Sequence, residues 1–427
     1  MSSTEQTVTE TSSHRGRRPL TRERIVDAAF HAWGRTRFMH TGIELVAREL
    51  SVTKPAIYRH IRNKEELVHA MERDYQKQVD RFVVPALTER STGTDALERL
   101  VRRYFSAVLR FYETKPYHYV FYLRKLIGKP DGAYRLLVTR LSELGTGTDE
   151  ESVEVARFLA ASAFFWTTYH HRKALRFDGQ EIEPFEPEGS VLTGAERARF
   201  LDQATRFALD GFAPDLADAI DMELVERIAG VTPGEIPEAD RIFTAIAEVV
   251  REYGYADATI ERIAGALGMN KSSVYHYFRN RDEMLTETIL REQRSFADIA
   301  SLRFRQLGNN SERLYALFVL LCDYATHRPV MSIVHNWVRE SHIEVHIPAS
   351  HVVALQEIYS FMTDMLIDGD LAGSPDDAFG VLQFVHFLVM QEVSEGNLEN
   401  AGERERRDRI RRLFRRFTGG VRRRATE

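Results

Sequence analysis

The chain has 427 residues, 43% of them hydrophobic and 28% charged, with a net charge of −5. That composition is ordinary for a soluble globular protein able to bury a core. Its one cysteine, Cys322, excludes an internal disulfide, and no apolar stretch approaches the roughly 20 residues of a membrane-spanning helix. The expected compartment is the cytoplasm.

Residues 1–20 are polar and rich in Ser and Thr, without the apolar core of a signal peptide. They read as a disordered arm that ends in the basic run Arg15, Arg17, Arg18, which is either a minor-groove arm or a solvated tail. From residue 21 the pattern is helical. Residues Ile43 to Leu67, IELVARELSVTKPAIYRHIRNKEEL, recur without a gap at an offset of 217 as Ile260 to Met284, IERIAGALGMNKSSVYHYFRNRDEM. An internal repeat organises the chain. The predicted units are 21–70 and 238–287 for the two repeated heads, 71–212 and 288–420 for the helical bodies behind them, 213–237 for a linker and 421–427 for a tail. Apolar stripes of helical spacing occupy Asp95 to Thr114, Val153 to Leu175, Arg313 to Tyr324, Val352 to Ile367 and Ala378 to Glu392. Each half closes on an amphipathic helix followed by glycine, Glu196 to Gly211 and Glu405 to Gly420. No strand pair is evident, so the fold class is all-α.

In the second head, Thr259 caps a helix whose inner face is Ile260, Ile263, Ala264 and Leu267. Gly268 permits the left-handed turn that ends it, and Asn270 caps the next helix, Lys271 to Phe278. Val274 and Phe278 anchor that helix. Lys271, Ser272, Ser273, Tyr275, His276 and Tyr277 are left outward, and Arg281 opens the following helix. In the first head Ser51 and Val52 make the turn, Thr53 is the cap, Pro55 lies in the first helical turn and Ile57 and Ile61 are the anchors. Lys54, Ala56, Tyr58, Arg59 and His60 face out, and Lys64 opens the next helix. Two short helices around a tight turn, the second polar on its outer face, fit a DNA major groove.

At these residues the chain resembles the DNA-binding domain of the tetracycline-repressor (TetR) family. The second head matches it at Ile263-Ala264, Gly268, Tyr275-His276-Tyr277-Phe278 and Arg281 to Leu285. The first, Lys54-Pro55-Ala56-Ile57-Tyr58-Arg59-His60-Ile61, is similar to the variant in tetracycline repressors themselves. It departs at Val46, at Ser51 in place of the turn glycine, and at Arg37 where the second head has Gly254. The resemblance implies a transcriptional regulator, not an enzyme, whose partner is double-stranded operator DNA. The outward faces of Lys54 to Arg59 and of Lys271 to His276 would read bases, with the caps Thr53 and Asn270 beside them at the DNA. Tyr58, His60, Lys64, Tyr275, Tyr277 and Arg281 would grip phosphates. Lys54 and Arg59 suit guanine. It also implies a small-molecule effector and pairing of bodies through the last two helices. Two fused units then make an intramolecular pseudo-dimer, or a homodimer of fused chains. Unlike residues at Pro55/Ser272, Ala56/Ser273 and Arg59/His276 predict an asymmetric operator. The alternative is a regulator whose bodies only dimerise.

The first head is richer in basic residues than the second and is expected to supply more of the affinity. Candidate effector contacts are Phe105, Tyr112, Tyr119, Phe165, Trp166, Tyr169, His170 and Trp337, because aromatic side chains line apolar pockets. No cofactor or metal is expected, and His342 and His346, though spaced i, i+4, read as surface histidines. Cys322 reads as a buried inert thiol. The C-terminal arginines read as a solvated helix face.

Overall fold

The computed structural model describes residues 19–34, 42–89, 93–122, 133–174, 192–238, 241–253, 258–328, 360–367, 375–394, 398 and 401–422. Side chains of 133, 145, 168–174, 250–251, 281–282, 285–286, 288–289, 367, 375–377, 379 and 394 lie outside that description. The basic arm, His342, His346 and Trp337 fall outside it as well. All described regular structure is helical.

Head 1 comprises α1 (Arg22–Gly34), α2 (Ile43–Glu49) and α3 (Lys54–Tyr58), and α4 (Lys64–Phe82) leads from it into body 1. Body 1 continues with α5 (Val84–Thr88), α6 (Ala96–Thr114), α7 (Pro116–Phe121), α8 (Ala133–Leu141), α9 (Glu150–Ala174) and α10 (Gly194–Asp210). After α11 (Met222–Ala229), head 2 is built from α12 (Arg241–Tyr253), α13 (Ile260–Leu267) and α14 (Lys271–Val274). Body 2 follows with α15 (Arg281–Phe304), α16 (Asn310–His327), α17 (Ser360–Ile367), α18 (Pro375–Ser394) and α19 (Glu403–Gly419).

The bodies meet through α9 and α10 of the first and α18 and α19 of the second. Each of these helices carries an aromatic stripe, and the stripes interdigitate. Phe165 stacks on Phe384 with ring centres 4.5 Å apart, and Phe207 packs on both Phe384 and Phe417. Burial of such faces is the main favourable term. The ends of α10 and α19 then form a reciprocal clasp. Phe212 and Ala213 donate backbone N–H groups to the carbonyls of Phe417 and Thr418, at 3.0 and 2.9 Å. Val421 and Arg422 donate to those of Ala208 and Leu209, at 3.0 and 2.9 Å. Each donor and acceptor has its counterpart 209 residues on, so the clasp has local two-fold symmetry. Gly211 (φ 75°) and Gly420 (φ 67°) turn the chain there, and each lies against the other half's backbone. A Cβ on Gly211 would sit 2.1 Å from the Thr418 carbonyl oxygen.

The segment between the halves is a folded strap built around α11. The Asp221 side chain caps α11 by accepting the Leu224 N–H at 3.0 Å, and α11 packs on α15 and α16. Its Glu226 receives Arg411 of α19 in two hydrogen bonds of 2.7 Å. Asp323 of α16, 2% exposed, receives Arg407 at 2.8 and 2.7 Å and also the Val231 N–H at 3.0 Å. Arg328 reaches the carbonyl of Pro237 at 2.8 Å. Arg412 and Arg422 cross to Glu154, Asp210 and Glu98 of body 1. The arginine helix is therefore an ion-paired seam between elements and not the solvated face its composition suggests. Cys322 is buried, and burial pushes its thiol up to about 12, which matches an inert side chain.

Gly420→Ala should unclasp the bodies. The methyl would meet the Leu209 carbonyl group at 2.3 Å, and the backbone there disfavours a side chain. We expect a loss of about 3 kcal/mol or more in urea denaturation, the scale of a steric and hydrogen-bond defect combined.

Candidate nucleic-acid interface

Both heads fold from the same local rules. In head 2 the Thr259 hydroxyl accepts the Arg262 N–H at 3.3 Å and starts α13, and Gly268 ends it in the left-handed conformation (φ 63°). The Asn270 side chain accepts the Ser273 N–H at 2.8 Å and starts α14. Val274 and Phe278 are buried beneath it, as the spacing requires. The regular helix spans only Lys271–Val274, shorter than the expected stretch to Phe278, and continues as turns. In head 1 Ile57 and Ile61 are the buried anchors and Thr53 occupies the cap position of α3, but its side chain makes no capping bond. Ser51 holds the left-handed position (φ 52°) that Gly268 holds in head 2, the sole such non-glycine among the described residues. That costs about 1 kcal/mol.

The outward faces carry the expected side chains. Lys54, Pro55, Tyr58, Arg59 and His60 are exposed and Ala56 is half-buried. Lys271, Ser272, Tyr275, His276 and Tyr277 are exposed, and Ser273 is half-buried. Tyr58 and Tyr275 expose 46% and 44% of their surface at matching places, which leaves phenol groups free to meet a backbone. The third helix of each motif begins alike. Asn63 and Asn280 accept the N–H of Glu66 and Glu283 at 2.8 Å, leaving free N–H groups at a positive helix end. The Lys64 ammonium lies over the Trp33 ring at 5.7 Å, which positions it at that end. The Arg281 side chain lies outside the described residues.

Sequence reasoning missed one pair of partners. Lys54 is ion-paired to Glu44 and Lys271 to Glu261, 217 residues on in both members. The lysine expected to read bases is thus held by a carboxylate at the start of the preceding helix. Its signal was present, since Glu44 and Glu261 are identical in the two copies.

The heads join their bodies differently. The Phe30 ring of α1 stacks on His118 of α7 with centres 3.8 Å apart, and His118 meets Asp74 of α4 at 2.9 Å. Head 1 thereby shares one continuous core with both bodies. The core of head 2, built on Ile246, Ile263, Leu267, Val274 and Met284, is separate among the described residues. Burial lowers the affinity of His118 for a proton, against the opposing pull of Asp74. Burial raises Asp74, but the His118 hydrogen bond and charge outweigh it, and the carboxyl lies below its ordinary value.

Two heads of this geometry, each offering cations and phenols around a short exposed helix, define a helix-turn-helix DNA-binding protein. Residues 25–71 and again 242–288 match the family described as bacterial regulatory proteins, tetR family. Both heads are thus tetR-family domains, and the chain is a DNA-binding transcriptional regulator built as two tandem units. No curated protein matches it. No described helix is long and apolar enough to cross a membrane.

The residues expected to meet an effector do not all come together. Tyr112 and Tyr119 adjoin in the interior of body 1, with ring centres 5.1 Å apart, and Phe105 is buried on α6 beside Tyr104. Phe165 instead serves the seam between bodies, where it lies on Phe384, and Trp166 packs within body 1 on Phe200 and Phe207 of α10. The side chains of Tyr169 and His170 lie outside the described residues. Tyr75, which bonds Tyr112 at 2.6 Å, was not foreseen, although Leu67, Met71, Tyr75 and Val79 form an i, i+4 stripe.

Ser51→Gly should stabilise head 1 by about 1 kcal/mol, and Gly268→Ser should weaken head 2 by as much, in denaturation followed at each head. The His118 junction should weaken in acid. Because the folded state lowers its pKa, its contribution is full above the ordinary imidazole value of 6.5 and falls as pH drops through it. Asp74 loses its contribution only below its ordinary 3.8. Urea midpoints measured from pH 8 to 5 should fall in the wild type and stay flatter in His118→Phe.

Proposed function

We propose that this regulator is a repressor released by a small-molecule ligand, acting in the cytoplasm as a one-chain pseudo-dimer on an asymmetric operator. The observation that carries the reading is the clasp at Gly211 and Gly420 with the bundle beneath it. It pairs the two bodies of a single chain through their final helices, so one chain already presents two heads. The faces of those heads differ. Pro55, Ala56 and Arg59 stand where Ser272, Ser273 and His276 stand in the other copy. A guanidinium fork favours guanine, whereas a histidine and serines accept several pairings, so the half-sites differ. Lys54, Arg59, Lys271 and His276 are the base-facing residues of this reading. Tyr58, His60, Lys64, Tyr275, Tyr277 and Arg281 hold phosphates, and Thr53 and Asn270 set the start of each reading helix.

The test is operator selection from random DNA, followed by the mass of the complex. We expect two unlike half-sites and one chain of 49.2 kDa per short duplex. Arg59→Ala should cost about 1–3 kcal/mol and relax preference in one half-site only, and His276→Ala should relax the other. A perfect palindrome, or two chains on one short duplex, would exclude the one-chain asymmetric reading.

A further inference from the structure

Body 1 holds a group of phenols with more donors than partners. Tyr75 of α4, Tyr104 and Tyr112 of α6 and Tyr122 just after α7 are each no more than 1% exposed. The Tyr75 and Tyr122 rings stack with centres 6.1 Å apart, Tyr112 lies 6.2 Å from Tyr122, and Phe164 closes against Tyr122 at 5.2 Å. The Tyr75 and Tyr112 hydroxyls satisfy each other in one bond of 2.6 Å. The Tyr104 and Tyr122 hydroxyls have no hydrogen-bond partner among the described residues. Burial holds all four protonated, and neighbouring hydroxyls add to it at Tyr104, Tyr112 and Tyr122, so each is a neutral donor. An unpartnered buried hydroxyl costs about 1–3 kcal/mol, and native proteins leave few without a use.

The matching place in body 2 is filled. At the offset of 217, Tyr75 corresponds to Glu292, a buried carboxylate. Glu292 receives Tyr324 at 2.9 Å and the Arg328 guanidinium at 2.8 and 3.1 Å. Tyr324 and Arg328 come from the end of α16, as Phe111 and Lys115 come from the end of α6. Charge and hydrogen bonds are closed within that triad, and opening it for a ligand would strand a buried ion.

We propose that body 1 alone holds the effector site, and that the effector is a small uncharged aromatic molecule whose oxygen acceptors take the hydroxyls of Tyr104 and Tyr122. This rests on the ligand-released reading above. The aromatic walls favour a flat apolar body, and the two free donors call for acceptors. Asp74 lies beyond Tyr75 and His118, on the side of head 1. A carboxylate there disfavours an anion, and an entering cation would lose its hydration without a partner in contact. Tyr75 lies on α4, the helix that begins in head 1 with Lys64, so a molecule seated against it bears directly on that head.

The test uses the full chain and two probes of similar size, coumarin, a neutral aromatic lactone, and naphthalene, which has no acceptor. Dissociation constants are measured by ligand-observed NMR. We expect one coumarin per chain and naphthalene at least about tenfold weaker, the scale of one good hydrogen bond. Tyr104→Phe and Tyr122→Phe should each weaken coumarin by about tenfold and leave naphthalene unchanged. Neither substitution should lower the melting temperature of the free protein, because each removes an unpartnered group. No coumarin binding, two molecules per chain, or binding that survives both substitutions would overturn the site. Tyrosine-dependent binding that leaves operator DNA bound would uphold the site and overturn ligand release. An effector that releases DNA from both Tyr→Phe variants as readily as from wild type would do the reverse.

Discussion

The reciprocal clasp at the ends of α10 and α19 is the constraint on which the rest of the molecule depends. Four backbone hydrogen bonds, two in each direction, tie the end of one half to the end of the other. They form only because Gly211 and Gly420 let two backbones approach within a distance that a Cβ would forbid. Once the clasp closes, the aromatic stripes of α9, α10, α18 and α19 have one register in which to pack. A chain that could have been two independent regulators is thereby one body with two heads.

Around that symmetric centre the halves diverge, and the divergence is electrostatic as much as steric. Body 2 is held by buried carboxylate–arginine pairs, Asp323 with Arg407, Glu292 with Arg328 and Glu226 with Arg411. These pairs stabilise only in combination with good geometry and the hydrogen bonds that fill their remaining positions, which each of them has. They also pin the strap between halves, so that α11 packs where α15 and α16 meet. Body 1 keeps a buried pair of this kind, Arg197 with Glu113, but where body 2 has the Glu292 triad it uses neutral phenols. A neutral interior with spare donors can admit a molecule at modest cost, while a closed ionic one cannot.

The heads show the same contrast. Head 1 is welded to its body through Phe30, His118 and Asp74, and a change in body 1 therefore reaches it through packed side chains. Head 2 has a core of its own. In both, the lysine proposed to read bases is already engaged by a glutamate.

Much of this was legible in the sequence because it depends on local rules. The repeat at an offset of 217 placed both heads, cap residues such as Thr259 and Asn270 placed helix starts, and i, i+4 apolar spacing placed Ile57, Ile61, Val274 and Phe278 inside. Those features need only neighbours a turn away. What the sequence could not assign were partners far apart in the chain. Glu44 looks like any surface carboxylate until α2 and α3 cross, and the C-terminal arginines look solvated until α19 lies against α11, α16 and α9. Phe165 and Tyr112 are both candidate effector contacts by sequence, yet one serves the seam and the other the interior of body 1. Composition and periodicity determined that this chain is two helix-turn-helix units with helical bodies. Only the tertiary structure decided which aromatic and charged groups meet, because that depends on how distant helices cross and not on the order of residues along any one of them.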